Sequence, residues 1–241
     1  MHISIAAEKL FSVLGFPVTN SLLMSWLAMA ILISVALVFN RQASNIPGKL
    51  QALLEIIFER LLNFMDSVTQ DRKKSELFLP LVATIFIFII TANWMGLIPG
   101  LASVGIKENG EFIPILRPMN TDLNNTLAIA LIAVVASHTF GFLVLGFRAH
   151  IGKFISFKSP IAFFVGILES ISEFSKIISF SFRLFGNIFA GEVLLLVIGG
   201  LIPFLVPIPF LGLELFVGFI QALVFAMLTL VFLTISTAEH H

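Results

Sequence analysis

The sequence contains no cysteine and few charged residues. Without cysteine it has no disulfide framework, no thiolate nucleophile and no cysteine metal site. Lysine, arginine, aspartate and glutamate make up 12% of the 241 residues, whereas a soluble domain averages roughly 25%. The formal net charge is zero, so charge balance gives no indication of a nucleic-acid partner. The sequence also lacks a Walker-type phosphate loop and an internal repeat, so it predicts neither a nucleotide site nor an inverted-repeat carrier.

Long apolar segments take the place of these features. Hydrophobic residues make up 58% of the chain, and the mean hydropathy is +1.05. A bilayer-spanning helix needs about 20 apolar residues. Five segments meet this length, which predicts a polytopic membrane protein: 21–40, 77–99, 120–147, 159–200 and 207–238. Residues 1–20 lack a basic segment followed by a long apolar stretch, so we expect them to be retained as an external segment.

The last two segments are longer than a bilayer requires. At about 1.5 Å per residue, helices of forty and thirty residues reach roughly 60 Å and 45 Å. Such helices must tilt strongly or protrude into water. We therefore predict a hairpin of two long, steeply tilted helices, whose turn contains Gly199, Gly200, Pro203, Pro207 and Pro209.

Residues 47–70 have a different pattern. Apolar residues recur at helical spacing at Leu50, Leu53, Leu54, Ile57, Leu61 and Phe64, and polar residues line another face at Gln51, Glu55, Glu59, Asn63 and Asp66. This pattern predicts an amphipathic helix at the membrane surface. A soluble-domain helix is the alternative, but no soluble domain surrounds it. The predicted fold class is therefore all-α: five transmembrane helices plus an amphipathic interfacial helix, in one membrane domain over 1–241.

Basic residues predict the orientation in the membrane. Segments 40–76 and 148–158 hold six and three lysines or arginines, whereas the opposite side holds Lys9, Lys107 and Arg117. The positive-inside rule places the first two segments in the cytoplasm. Five spans then leave the N-terminus outside and the C-terminus inside.

Several polar residues lie inside the last two spans. Ionisable groups there cost roughly 2.5–3.5 kcal/mol each on insertion scales, so they persist when they pair, face water or carry ions. On a helical wheel, one polar stripe runs from the cytoplasmic end of the fourth span to mid-membrane: Glu169, Glu173, Lys176, Ser179, Arg183 and Asn187. We expect this stripe to offer a cytoplasmic aqueous route.

The number of residues between each polar group and the hairpin turn predicts two layers of polar side chains. Arg183 and Gln221 are about equidistant from it at mid-membrane, and Glu192 and Glu214 lie nearer the outside. Glu192 is nine residues from Arg183, which is about 180° around an ideal helix. The helix is therefore irregular between them, or the two outer carboxylates line a separate cavity. We favour the separate cavity.

This arrangement suits ion transfer. The outer carboxylates accept ions, and a fixed cation at Arg183 prevents a continuous proton wire because arginine stays protonated even when partly buried. A lysine there could lose its proton when desolvated. The arginine would attract a carboxylate on a moving partner, and this chain holds no such carboxylate.

Three motifs resemble a known family. SFRLFGNIFAGE at 181–192, QALVFAMLTLVFLT at 221–234 and NTDLNNTLAIA at 120–130 are similar to subunit a of F-type ATP synthases, as is the EHH ending. The resemblance covers nearly the whole chain. It implies a non-catalytic, ion-translocating stator subunit of a proton-transporting two-sector ATPase, beside which a ring of c subunits turns.

The resemblance also implies site residues. Arg183 matches the essential arginine that separates two offset half-channels, and Asn187 and Gln221 match polar residues near it. Glu192 and Glu214 match two positions that carry an acidic/histidine pair in some relatives; here neither is histidine, which leaves the proton affinity of the outer half-channel open. The polar entrance to the third span matches at Asp122 and Asn124.

Partners and location follow from the same resemblance. The expected partners are the c ring, with a carboxylate opposite Arg183, b-type subunits of the peripheral stalk, the rest of the F1Fo complex and the lipid bilayer. No nucleic acid, cofactor or metal is expected. The expected location is the bacterial inner membrane or an organellar energy-transducing membrane. The coupling ion, the ring size, the direction of operation and the source organism stay open.

Other interpretations remain open. The chain could be a stand-alone ion-coupled secondary transporter or a membrane scaffold. Arg183 could be a structural arginine that extends to the membrane surface, and Glu192 with Glu214 could be a neutral packing pair. Gln221 could simply bind a neighbouring helix.

The remaining candidates also have structural alternatives. Glu169, Glu173 and Lys176 could form a solvated helix face. Asp122 could cap the third span, and His138 could be a hydrogen-bonded packing residue. Nothing supports a metal site at the terminal histidines, His240 and His241.

Overall fold

The computed structural model describes residues 7–13, 15–42, 48–101, 104–108, 111–154, 160–202 and 205–238. Its helices are α1 (Asn20–Gln42), α2 (Lys49–Thr69), α3 (Arg72–Gly96), α4 (Leu123–Leu145), α5 (Phe147–Phe154), α6 (Pro160–Leu201) and α7 (Pro207–Ser236). Its strands form two antiparallel hairpins: β1 (Lys9–Val13) with β2 (Phe16–Thr19), and β3 (Gly105–Glu108) with β4 (Glu111–Pro114). The predicted turn residue Pro203, the basic residue Lys158 and the EHH ending with His240 and His241 lie outside the described residues.

The predicted fold class is confirmed. Five helices in the described part of the chain are long and apolar enough to cross a membrane: α1, α3, α4, α6 and α7. The last two are the longest of these, with 42 residues in α6 and 30 in α7. The chain is therefore a multi-pass helical membrane protein. The short helix α5 and both hairpins were not predicted, because segments this short carry too little periodicity to read from sequence.

The ends of α3 and α4 are set by side-chain caps. The Asp71 side chain accepts a hydrogen bond from the amide of Lys73, so α3 begins at Arg72 with a polar first turn, before the apolar segment predicted from 77. Asp122 caps α4 in the same way, which separates a 3₁₀ turn at Met119–Thr121 from the helix proper. Gly146, at φ +80°, ends α4 and lets α5 follow directly.

A sharp corner joins the amphipathic helix to the first helix of the core. Gln70 adopts a left-handed backbone conformation at φ 54°, and its amide donates to the carbonyl of Asp66. Arg72 then contacts the carboxylates of Asp66 and Glu76 at 2.7 Å and 3.0 Å. These pairs are exposed and stabilise the corner modestly.

The core lies where α3, α4, α6 and α7 meet. Large buried side chains there include Phe78 and Ile89 of α3, Leu184 of α6 and Leu230 of α7. Small residues such as Ala222 and Ala226 let α7 approach its neighbours closely. The two long helices therefore present fixed faces to the centre of the bundle and leave other faces exposed.

Candidate functional site

The two outer glutamates line one cavity. Glu192 of α6 and Glu214 of α7 face a cavity of about 240 Å³ that Asn93 of α3 and Pro118 also line, and Arg183 is not among its lining residues. Helix α6 continues without a break through this region. Of the two alternatives left open by the sequence, the geometry matches the separate cavity and not the irregular helix.

A glycine makes room for one of these carboxylates. Glu214 is buried, and a Cβ atom added to Gly191 would overlap its carboxyl group. Gly191 directly precedes Glu192 on α6. Gly191 therefore leaves room for the carboxyl group of Glu214, and the residue after it, Glu192, lines the same cavity.

An arginine that the sequence analysis counted only as an outer basic residue pairs with Glu192. Nη2 of Arg117 lies 3.7 Å from Oε2 of Glu192, and the Arg117 side chain is 8% exposed. Its Nε donates to the hydroxyl of Thr121 at 3.2 Å. Its signal in the sequence is weak: a basic residue shortly before the polar block at 120–126.

Buried amides join α3 to α7 next to the cavity. Asn93 Nδ2 donates to the carbonyl of Gly218 at 2.9 Å, and Asn120 Nδ2 donates to Asn93 Oδ1 at 2.7 Å. Trp94 Nε1 donates to the carbonyl of Leu215 at 3.1 Å. The sequence analysis gave no role to Asn93, a single polar residue in an apolar span, or to Asn120, which lies in the polar block at 120–126.

Asp122 has a structural role in this geometry. One carboxylate oxygen accepts from the amide of Asn124 at 2.9 Å, and the other accepts from the hydroxyl of Ser21 at 2.6 Å. Asp122 is buried, whereas Asn124 is exposed. Neither residue is among those that line the outer cavity. The helix-cap interpretation therefore describes Asp122 in this chain, where it also ties α1 to α4.

Arg183 lies on an exposed face of α6. Asn187, one turn further on, is exposed on the same side. Within the described part of the chain Arg183 has no ion pair and no hydrogen bond, and Gln221, half-buried on α7, does not contact it through one. The neighbouring Ser181 is turned inward, where its hydroxyl lies 3.0 Å from that of Thr126. Arg183 and Gln221 were expected to lie in one layer, but these two side chains form no direct hydrogen bond with each other.

The polar stripe of α6 divides into a covered part and an exposed part. Glu169, Glu173 and Lys176 are half-buried, whereas Ser179, Arg183 and Asn187 are exposed. The division arises because α4 and α5 pack against α6, and Glu173 contacts His138 of α4. This N-terminal end of α6 is the inner end in the predicted orientation.

Four side chains at that inner end contact one another. Glu173 Oε1 accepts from Lys176 Nζ at 2.6 Å, and its Oε2 lies 3.5 Å from Nε2 of His138. Nδ1 of His138 lies 3.1 Å from Nε2 of His150, which is buried on α5. Lys176 Nζ also lies 4.5 Å from the ring centre of Phe232. His138 is thus a hydrogen-bonded residue that joins α4 to both α5 and α6.

Comparison with known proteins gives one family. The family model described as ATP synthase A chain matches residues 22–234. Relatives named ATP synthase subunit a include one from Geotalea daltonii, 33% identical over 90% of this chain and 87% of the relative. Another, from Desulforamulus reducens, is 33% identical over 97% and 87%. A third, from Moorella thermoacetica, is 31% identical over 93% and 94%. The chain belongs to the ATP synthase subunit a family, the membrane-embedded A chains of F-type ATP synthases.

Proposed function

We propose that this chain is the stator subunit that conducts protons to and from a carboxylate on a rotating ring of c subunits. It is itself non-catalytic, and nucleotide chemistry belongs to other subunits of the F1Fo complex. The observation that carries the proposal is the position of Arg183: exposed and without an ionic partner in the described chain, and outside the cavity that the two outer carboxylates line.

The outer route runs through the cavity at Glu192 and Glu214. Carboxylates that face a cavity can bind protons from the water on one side of the membrane and release them again. Two carboxylates in one cavity cannot both ionise freely, because like charges disfavour one another. Unequal protonation would leave one of them to pass its proton to the ring.

The inner route follows the polar stripe on α6. Glu169, Glu173, Lys176 and Ser179 offer polar groups from the cytoplasmic end towards Arg183. Asn187 extends the same exposed face beyond the arginine. Gln221 lies on the neighbouring helix and can donate a hydrogen bond to a carboxylate that passes Arg183.

Arg183 separates the two routes. A guanidinium stays charged in this position, so it repels a proton and attracts an ionised carboxylate. A carboxylate on the ring would release its proton to the inner route as it reaches Arg183, and would take a new one from the outer route after passing it. An exposed arginine in the middle of a membrane-spanning helix needs such an anionic partner, because an unpaired charge in lipid is costly.

The partners and the orientation complete the proposal. The exposed face of α6 meets the ring, and α6 with α7 forms the steeply tilted hairpin that follows its curvature. The exposed apolar residues of α1, among them Trp26, Ile33 and Leu37, face lipid or b-type subunits of the peripheral stalk. The N-terminus lies outside and the C-terminus inside. A bacterial inner membrane is the proposed location, since the relatives named above are bacterial.

The test is Arg183→Ala in the intact complex, reconstituted in vesicles. Proton-driven ATP synthesis should be abolished, while the ring of c subunits still co-purifies with the chain. Arg41→Ala is the matched control, because Arg41 is an exposed arginine in the last turn of α1. Full synthesis in the Arg183 variant would contradict the proposal, and proton flux through the chain without its ring would favour a stand-alone transporter.

A further inference from the structure

The outer cavity contains one cation beside two carboxylates. We infer that Arg117 is a positioning residue that pairs with Glu192 and fixes its carboxylate at the cavity, and that Glu214 is the group that takes up and releases the proton. This inference rests on the proposed outer route. It assigns different roles to two glutamates that the sequence presents as an equivalent pair.

The guanidinium of Arg117 is fixed where it lies. Its side chain is 8% exposed, with Nη2 at 3.7 Å from Oε2 of Glu192. Nε donates to the Thr121 hydroxyl, which itself donates to the carbonyl of Pro118 at 2.8 Å. These bonds close the turn that carries Arg117, so the cation cannot swing away from the cavity without breaking them.

Glu214 has no such cation. In the described part of the chain it forms no ion pair, and its carboxyl group is seated on Gly191. Because no cation pairs with it there, Glu214 can exchange a proton without breaking an ion pair. The two carboxylates therefore differ in the one respect that matters for proton exchange, the charge next to them.

The charged groups that face Glu192 come from three elements. Arg117 approaches from the turn before α4, Glu214 from α7 and Glu8 from the N-terminal segment. Glu8 and Glu214 are both acidic residues, and Arg117 is the one cation among the three groups. Removing Arg117 would leave three carboxyl groups without a cation, so Glu192 would lose the partner that fixes its position.

The test is a double-mutant cycle on the intact complex in vesicles, with proton-driven flux as the readout. Arg117→Gln should lower the flux about tenfold, and Arg117→Lys should retain most of it because the charge is kept. In the Glu192→Gln background, Arg117→Gln should cause no further loss, since the ion pair with residue 192 is already absent. Adding Glu214→Gln to that double variant should remove the remaining flux.

Three results would overturn the inference: a further tenfold loss from Arg117→Gln in the Glu192→Gln background, no rescue by lysine, or flux that survives the added Glu214→Gln. If Arg117→Gln fails to assemble with the ring, restored assembly in the double variant with Glu192→Gln supports the pairing, and failure in both backgrounds overturns it. If neither Glu192→Gln nor Glu214→Gln changes the flux, the proposed outer route itself is wrong.

Discussion

The two ends of α6 stabilise buried charge in different ways. At its C-terminal end, the outer end in the proposed orientation, Glu192 and Glu214 face a cavity, and one cation lies beside only one of them. At the inner end, the cluster of His138, His150, Glu173 and Lys176 consists of groups that contact one another. Charges within a membrane persist either because they reach water or because they pair. At the outer end the carboxylates mainly face a cavity, whereas at the inner end the charged groups pair with one another.

This difference bears on how each end could exchange ions. At the cavity, Glu214 can change its protonation state without breaking an ion pair to another helix. In the inner cluster, a change at Glu173 disturbs Lys176 on α6 and His138 on α4 together. Under the proposed function, Glu214 is therefore suited to proton exchange, whereas exchange at Glu173 would also disturb helix packing.

The largest expected effect concerns the outer carboxylates. Replacing both Glu192 and Glu214 with glutamine should slow proton entry roughly a hundredfold, because no acid remains at the cavity. Proton uptake by reconstituted vesicles measures the effect. Unchanged coupled flux in the double variant would show that the cavity is not the outer route, and the contrast between the two ends would lose its functional meaning.

A smaller effect is expected from Gly191→Ala. The added Cβ would overlap the Glu214 carboxyl group and displace it, and overpacking of this kind costs about 1–3 kcal/mol. We expect proton flux to fall about tenfold. The control is Gly199→Ala on the same helix, where a Cβ would meet nothing within 4 Å. Equal flux in the two variants would show that the position of the Glu214 carboxyl group against Gly191 is unimportant for proton flux.

The smallest effect is expected at the inner end. Glu173→Gln removes the counter-charge of Lys176 and a partner of His138. A partly exposed pair contributes about 0.2–1 kcal/mol, so proton flux should fall no more than about fivefold. Glu169→Gln, half-buried one turn earlier, is the control and should change flux less. A loss at Glu173 as large as that of the outer double variant would mean that both ends exchange ions equally.

The sequence predicted more of the helices than of the connections between them. Runs of apolar residues were enough to identify five spans, and periodicity was enough for the amphipathic helix, found at Lys49–Thr69. The hairpins and the short helix α5 were missed because they lie in connections with little apolar pattern. The polar caps at Asp71 and Asp122 set helix ends that an apolar profile does not show.

Within a single helix, spacing in the sequence determines which side chains share a face, because the α-helix repeats every 3.6 residues. For this reason the sequence by itself placed Arg183 and Glu192 on opposite sides of α6 and put Glu192 level with Glu214. It could not show what a neighbouring element places against each face. Only the tertiary structure brought Arg117 to Glu192, seated Glu214 on Gly191 and covered Glu173 with His138. Contacts between residues far apart in the chain depend on how the helices pack, and that packing is decided by the whole bundle at once.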